Sequence, residues 1–182
     1  MDELKESPSQ TAGPYVHIGC VPSFAGLEGM YGGVDLGADM ALGDGARIVF
    51  AGRVLDGDGA PVTDALVEIW QADGQGRYGP GAQGWGRQAT DGKTGIFRFE
   101  TVKPGPVGAQ APHLLIWIVA RGINLGLTTR AYFEDEADAN AADPVLALAG
   151  DRAGTMVAQA VEGGYHLDIH LQGEAETVFL DV

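Results

Sequence analysis

The most regular alternation in the chain is YHLDIHLQ, residues 165–172, in which Tyr165, Leu167, Ile169 and Leu171 alternate with His166, Asp168, His170 and Gln172. A period of two is that of a β-strand, so this segment has one core face and one polar face. Short segments of similar character recur along the chain: ARIVFAGRVLD (46–56), VTDALVEIWQA (62–72), GIFRFETV (95–102), HLLIWIVA (113–120), LGLTTRAYF (125–133), TMVAQAV (155–161) and TVFLDV (177–182). DGDGAP, KPGPVGAQAP, EGG and GEAE separate them as turns, and residues 73–92 read as a long glycine-rich loop. HLLIWIVA is apolar at every position after its histidine, which predicts a central strand covered on both faces. About eight short strands with antiparallel connections predict an all-β fold, a β-sandwich.

Two stretches break the period. Residues 1–45 are rich in Gly, Pro and acidic residues without a sustained period of 2 or 3.6, and are expected to form an irregular N-terminal arm tied down at Tyr15, Val16, Ile18, Phe24 and Tyr31. The sandwich domain then covers 46–182. EDEADANAADPVLALAG (134–150) is the one helical pattern, acidic at its start and interrupted at Pro144.

Composition narrows the function classes. A chain of 182 residues, 45% hydrophobic, has the length for one domain with a core. Its net charge of −14, from 25 acidic and 11 basic residues, disfavours a nucleic acid or an anionic membrane as partner. The same field means that an anionic small molecule needs a local cation. Cys20 is the only cysteine, which excludes an internal disulfide, and MDELKESPSQ has neither a basic nor an apolar leader region, so a cytoplasmic location is expected.

Most local motifs dissolve on inspection. GQGRYG (74–79) matches a dinucleotide fingerprint, but GPGAQGWG stands where the phosphate-binding helix must begin. DGDGAPVTDALV, counted from Asp56, puts Pro61 and Val67 where a calcium loop needs Gly and Glu. His166 and His170 share a face but lie about 13 Å apart along a strand, too far for one metal. Ser7, Ser9 and Ser23 sit in the arm, outside any nucleophile elbow. A His-x-His pair on a strand places two imidazoles on one face; here His113 is followed two residues on by Leu115, so His113 alone reads as a hydrogen-bonded core or rim histidine.

GRVLDGDGAPVTDALVEIWQADGQGRYG, TDGKTGIFRFETVKPGPV and APHLLIWIVARGIN, in that order, strongly resemble the intradiol ring-cleaving dioxygenases, and the resemblance runs from about Ser9 to Val182. It implies a β-sandwich and, in the two-chain members, homologous α and β chains in (αβ)n hetero-oligomers. In the catalytic β chain two tyrosines and a His-x-His pair hold Fe(III). The matching positions here are Tyr78, Val107, His113 and Leu115, so two donors are missing, and Gln110 stands where an arginine precedes the histidines. SQTAGPYVHIG, ARGIN, TRAYFEDEADANA and QGEAETVFLDV resemble the α chain, while 73–92 and 20–45 are short for the family.

The resemblance thus implies a chain with no catalytic residue and no cofactor of its own, the metal site having given way to packing, with Fe(III) in the partner β chain. It implies that Thr11, Ala12, Gly13, Pro14, Tyr15 and Arg121 help to wall the partner's pocket, where protocatechuate and O2 would meet. Two other readings stand beside it. One is a self-sufficient enzyme in which Tyr132 or Glu68 converges with Tyr78; the other is a β-sandwich binding module.

Overall fold

The computed structural model describes residues 10–40, 42–79 and 84–181. The start of the arm, with Ser7 and Ser9, and residues 80–83 of the glycine-rich loop lie outside them. Nine strands form: β1 (Arg47–Leu55), β2 (Leu66–Gln71), β3 (Gly84–Ala89), β4 (Ile96–Val102), β5 (His113–Val119), β6 (Leu127–Phe133), β7 (Val157–Val161), β8 (Gly164–His166) and β9 (Ile169–His170). They pair in the order β3-β2-β5-β6-β7-β8-β1-β4, with β9 also on β1.

The path folds into two layers. β1, β4, β8 and β9 make one; β3, β2, β5 and β6 make the other; β7 joins them, parallel to β6 and antiparallel to β8. Phe50, Val54, Phe97 and Phe99 of the first layer meet Val67, Ile69, Leu114, Ile116, Ile118, Ala131 and Phe133 of the second in one buried cluster. Burying each such side chain contributes about 1.5–3 kcal/mol, so the facing rows hold the layers together. A smaller cluster of Ala111, Tyr132, Leu146 and Met156 lies at the end of β6.

Several segments depart from the pattern read in the sequence. Residues 73–92 are not one loop, because β3 forms within them. GWGRQA has little strand propensity, but it pairs along β2 and carries the Arg87–Glu68 ion pair at 2.6 Å, so cross-strand partners decide its state. YHLDIHLQ keeps its alternation yet splits into β8 and β9: the Asp168 carboxylate, rather than a ladder carbonyl, accepts the Arg53 backbone N–H at 2.9 Å. Gly52 is required opposite this break, since a Cβ there would lie 1.8 Å from the Leu167 carbonyl oxygen.

The connections are not all antiparallel either. β1 pairs in parallel with β8 and β9, as β6 does with β7. TVFLDV contributes only an isolated bridge, Thr128 to Leu180. β5 is central, but only Leu114, Ile116 and Ile118 are in the core; its other face is partly open, with Trp117 37% exposed.

The arm is less irregular than its composition suggests. Pro14 occupies the first turn of a short helix, α1 (Pro14–Cys20), where its missing N–H costs nothing and its fixed φ favours the helix. The acidic segment after β6 runs through a 3-10 turn, α2 (Ala137–Ala142) and, beyond the break at Asp143 and Pro144, further 3-10 turns to Met156. Among the described residues no helix is long and apolar enough to cross a membrane.

Candidate functional site

The four positions of the family's ligand set come together on the outer face of the second layer. His113 and Leu115 point outward from β5 in register with Tyr132 and Arg130 of β6, and Leu115 lies between Trp70 of β2 and Arg130. Tyr78 stacks on Trp70 with ring centroids 6.1 Å apart and planes 6° from parallel. Val107 closes a turn with Gln110 through two backbone hydrogen bonds of 3.0 and 3.1 Å. Gly76 explains the glycines of GQGRYG: its φ is +74°, and a Cβ would lie 2.0 Å from the Pro106 carbonyl oxygen. The glycine-rich loop therefore meets the KPGPV turn backbone to backbone, which brings Tyr78 toward Val107.

Side-chain polarity here is organised around an arginine and an aspartate. Arg130 Nη1 donates to Gln110 Oε1 at 3.0 Å and to the Tyr132 hydroxyl at 3.2 Å. That hydroxyl donates to Asp143 Oδ1 at 3.1 Å. The fully buried Asp143 carboxylate also accepts the backbone N–H groups of Ala111, Val145 and Leu146 at 2.7–2.8 Å. Burial pushes its pKa up, but the amide N–H groups and the Tyr132 hydroxyl outweigh this, and the carboxyl is held below its ordinary value. His113 Nδ1 lies 2.8 Å from the Ala111 carbonyl, which assigns the proton to Nδ1.

These residues do not fit Fe(III). A trivalent hard cation needs several anionic donors, and of the four positions only Tyr78 offers an oxygen and His113 a nitrogen. Burial raises the Tyr78 pKa, against the opposing charge of Arg130. Burial likewise pushes Tyr132 up to about 12. Val107 and Leu115 offer no donor, and a guanidinium lies among the remaining groups. The substitute ligands are engaged too: Tyr132 bonds Asp143 and Arg130, while Glu68 takes Arg87 Nε at 2.7 Å and Trp85 Nε1 at 3.3 Å. Among the described residues no group of three His, Cys, Asp or Glu side chains could hold a metal.

The second cluster read from the sequence lies elsewhere. Thr11 Oγ1 accepts the Gly122 N–H at 2.7 Å and donates to the Ala120 carbonyl at 3.3 Å, pinning the arm across ARGIN. Ala12, Gly13, Pro14 and Arg121 then line a cavity of about 500 Å³, floored by His17 and Phe24. Arg121 is 75% exposed and pairs through Nε with Asp64. Thr11 and Tyr15 are not among the residues lining the cavity, so four of the six expected residues line it, Thr11 anchors the arm beside it, and Tyr15, 84% exposed, faces solvent.

Sequence reasoning passed over Asp64, His17 and Arg130. His17 is buried against Phe24 with centroids 4.8 Å apart, and its Nε2 has no hydrogen-bond partner. Burial lowers its pKa, against the opposing charge of Asp64. The available signal for Arg130 was the alternation in TTRAYF, which places it with Tyr132 opposite Leu115 and His113. His166 bonds Asp168 Oδ1 at 2.9 Å, and Ser23 bonds Asp35.

Residues 31–173 match the dioxygenase family. The chain is 43% identical over 197 residues to the protocatechuate 3,4-dioxygenase alpha chain of Pseudomonas putida, covering 98% of this chain and 97% of that one. It is 34% identical over 166 residues to the beta chain from Burkholderia cepacia, covering 73% of this chain and 67% of that one. The intradiol ring-cleavage dioxygenase of Tetranychus urticae shares the fold, with a TM-score of 0.60 at 18% identity over 70% of this chain and 81% of the other.

Proposed function

Because the chain belongs to the intradiol dioxygenase family, we propose that it is the non-catalytic α chain of a protocatechuate 3,4-dioxygenase. The assembled enzyme cleaves protocatechuate with O2 to 3-carboxy-cis,cis-muconate. Fe(III) and all the chemistry done on it belong to a homologous β chain, with which this chain forms an (αβ)n assembly in the cytoplasm. The observation that carries this reading is the donor set: Val107 and Leu115 stand in place of two ligands, with the Arg130 guanidinium beside them, in a chain otherwise alike to an α chain along its length.

The role left to this chain is to bind and position. Thr11 fixes the arm against Ala120 and Gly122, so that Ala12, Gly13, Pro14 and Tyr15 are presented to the partner's pocket from an anchored segment. Arg121 supplies the local cation that a carboxylate substrate needs beside a chain of net charge −14. Its exposure leaves the guanidinium accessible, and Asp64 fixes its direction.

Metal analysis and the visible spectrum of the purified chain, alone and after co-expression with a β chain, test this. Iron is expected only in the co-purified assembly. Near-equimolar iron with a tyrosinate charge-transfer band in the chain alone would overturn the assignment.

A further inference from the structure

We propose that the outer sheet face around Arg130 is a binding site for a small aromatic carboxylate, whose ring lies on Leu115 against Trp70 and Tyr78 and whose carboxylate meets the guanidinium. The site is separate from the pocket wall at Arg121 and does not involve the partner's iron.

The sheet register supplies the first argument. Trp85, Trp70, Leu115 and Arg130 form one row across β3, β2, β5 and β6, all on the outward face. Neighbouring strands are about 4.8 Å apart, so Trp70 and Arg130 flank Leu115 at a backbone separation of about 10 Å, a span that one ring bearing one carboxylate fits. Trp70 and Tyr78 remain 43% and 42% exposed although stacked on each other, which leaves an aromatic wall facing solvent.

Charge supplies the second. Arg53, Arg77, Arg87, Arg98, Lys103, Arg121 and Arg152 all pair with carboxylates, and Arg47 and Lys93, which have no ion pair among the described residues, are exposed to water. Arg130, half-buried, pairs with none among the described residues, and its Nε is buried without a hydrogen-bond partner. Its two recorded bonds go from Nη1 to uncharged groups, Gln110 and Tyr132. The nearby carboxylate, Asp143, is spent on three backbone N–H groups and the Tyr132 hydroxyl. A half-buried cation lacking a counter-charge, in a strongly acidic protein, is a place where an anion replaces lost solvation with a charge-assisted bond. An inorganic anion would find a single guanidinium amid apolar walls, so the chemistry favours an anion that carries its own ring.

Calorimetry of the assembled αβ enzyme with benzoate tests the proposal. Two classes of site per αβ pair are expected. Arg121→Ala weakens one of them, the partner's pocket, and Arg130→Met weakens the other at least tenfold, with Arg130→Lys intermediate. Benzyl alcohol, which lacks the charge, fills only sites that do not need Arg130. Trp70→Leu, at an exposed side chain, makes the same test should Arg130→Met fail to assemble, and is expected to weaken the same site. A single class of site, indifferent to both Arg130→Met and Trp70→Leu, overturns the proposal, as does equal binding of benzyl alcohol at the second site. An effect of Arg121→Ala on the first class is independent of that result and bears only on the pocket assignment.

Discussion

Asp143 and Arg121 each anchor a polar cluster, and the two clusters differ in what surrounds them. Asp143 is fully buried, and its carboxylate takes three backbone N–H groups and a buried hydroxyl. Arg121 is largely in solvent and meets one carboxylate, Asp64. Breaking the first strands several desolvated donors; breaking the second returns two ions to water, where such pairs are worth about 0–1 kcal/mol. A polar group that the fold needs is closed to other partners, and one that the fold can spare is free to serve another molecule.

The largest effect is expected from Asp143→Ala, which leaves three amide donors and the proton of the Tyr132 hydroxyl without an acceptor in the interior. Urea unfolding should show a loss of about 3–5 kcal/mol. Because the Asp143 pKa is depressed in the folded state, this stabilisation is present above the unfolded carboxyl value of about 4 and is lost as pH falls through the folded one. The gap between parent and variant should therefore narrow below about pH 4. A gap constant with pH would mean that the ionised carboxylate is not what holds the segment.

Arg121→Ala should do the opposite. The urea midpoint should stay within about 0.5 kcal/mol of the parent, while kcat/KM of the assembled enzyme for protocatechuate falls about ten- to a hundredfold, the loss of one charge-assisted bond. A catechol without the carboxylate should be spared. Loss of stability without loss of turnover would reverse the comparison.

Thr11→Val sharpens it at the smallest scale. Removing the hydroxyl that ties the arm to Ala120 and Gly122 costs about 1 kcal/mol, so amide exchange in α1 should quicken about fivefold with no change in the strands.

Alternation was the legible part of the fold. Tyr165, Leu167, Ile169 and Leu171 point inward even though a side chain interrupts their ladder at Asp168, because burial depends on period and not on unbroken backbone pairing. β3 was hidden because its state rests on partners distant in sequence, Glu68 and Trp70. The parallel pairings of β1 were hidden for the same reason: no local turn signal reports a partner more than a hundred residues away. α1 was hidden because its seven residues, about two turns of helix, are too short to show a period.

At the candidate site the sequence disclosed what is missing, through Val107 and Leu115, more readily than what took its place. Arg130 lies on a strand that reads as ordinary, and its position became apparent only with the register that sets it beside Leu115. Ala12, Gly13, Pro14 and Arg121 do share a cavity, but Asp64 beside them was not legible, since it reads as one turn residue among many in an acidic chain.

The parallel pairing of β1 with β8 and β9 also dictates an order of events in time. Val49 pairs with Gly164 and Leu55 with His170, so the second edge of β1 waits for residues made more than a hundred positions later. At about 5–20 residues per second, β1 spends several seconds on the ribosome paired with β4 along one edge and with nothing along the other. Such distant closure slows folding and leaves an edge open to foreign strands, so a nascent chain is at risk of misassembly until residues 164–170 emerge.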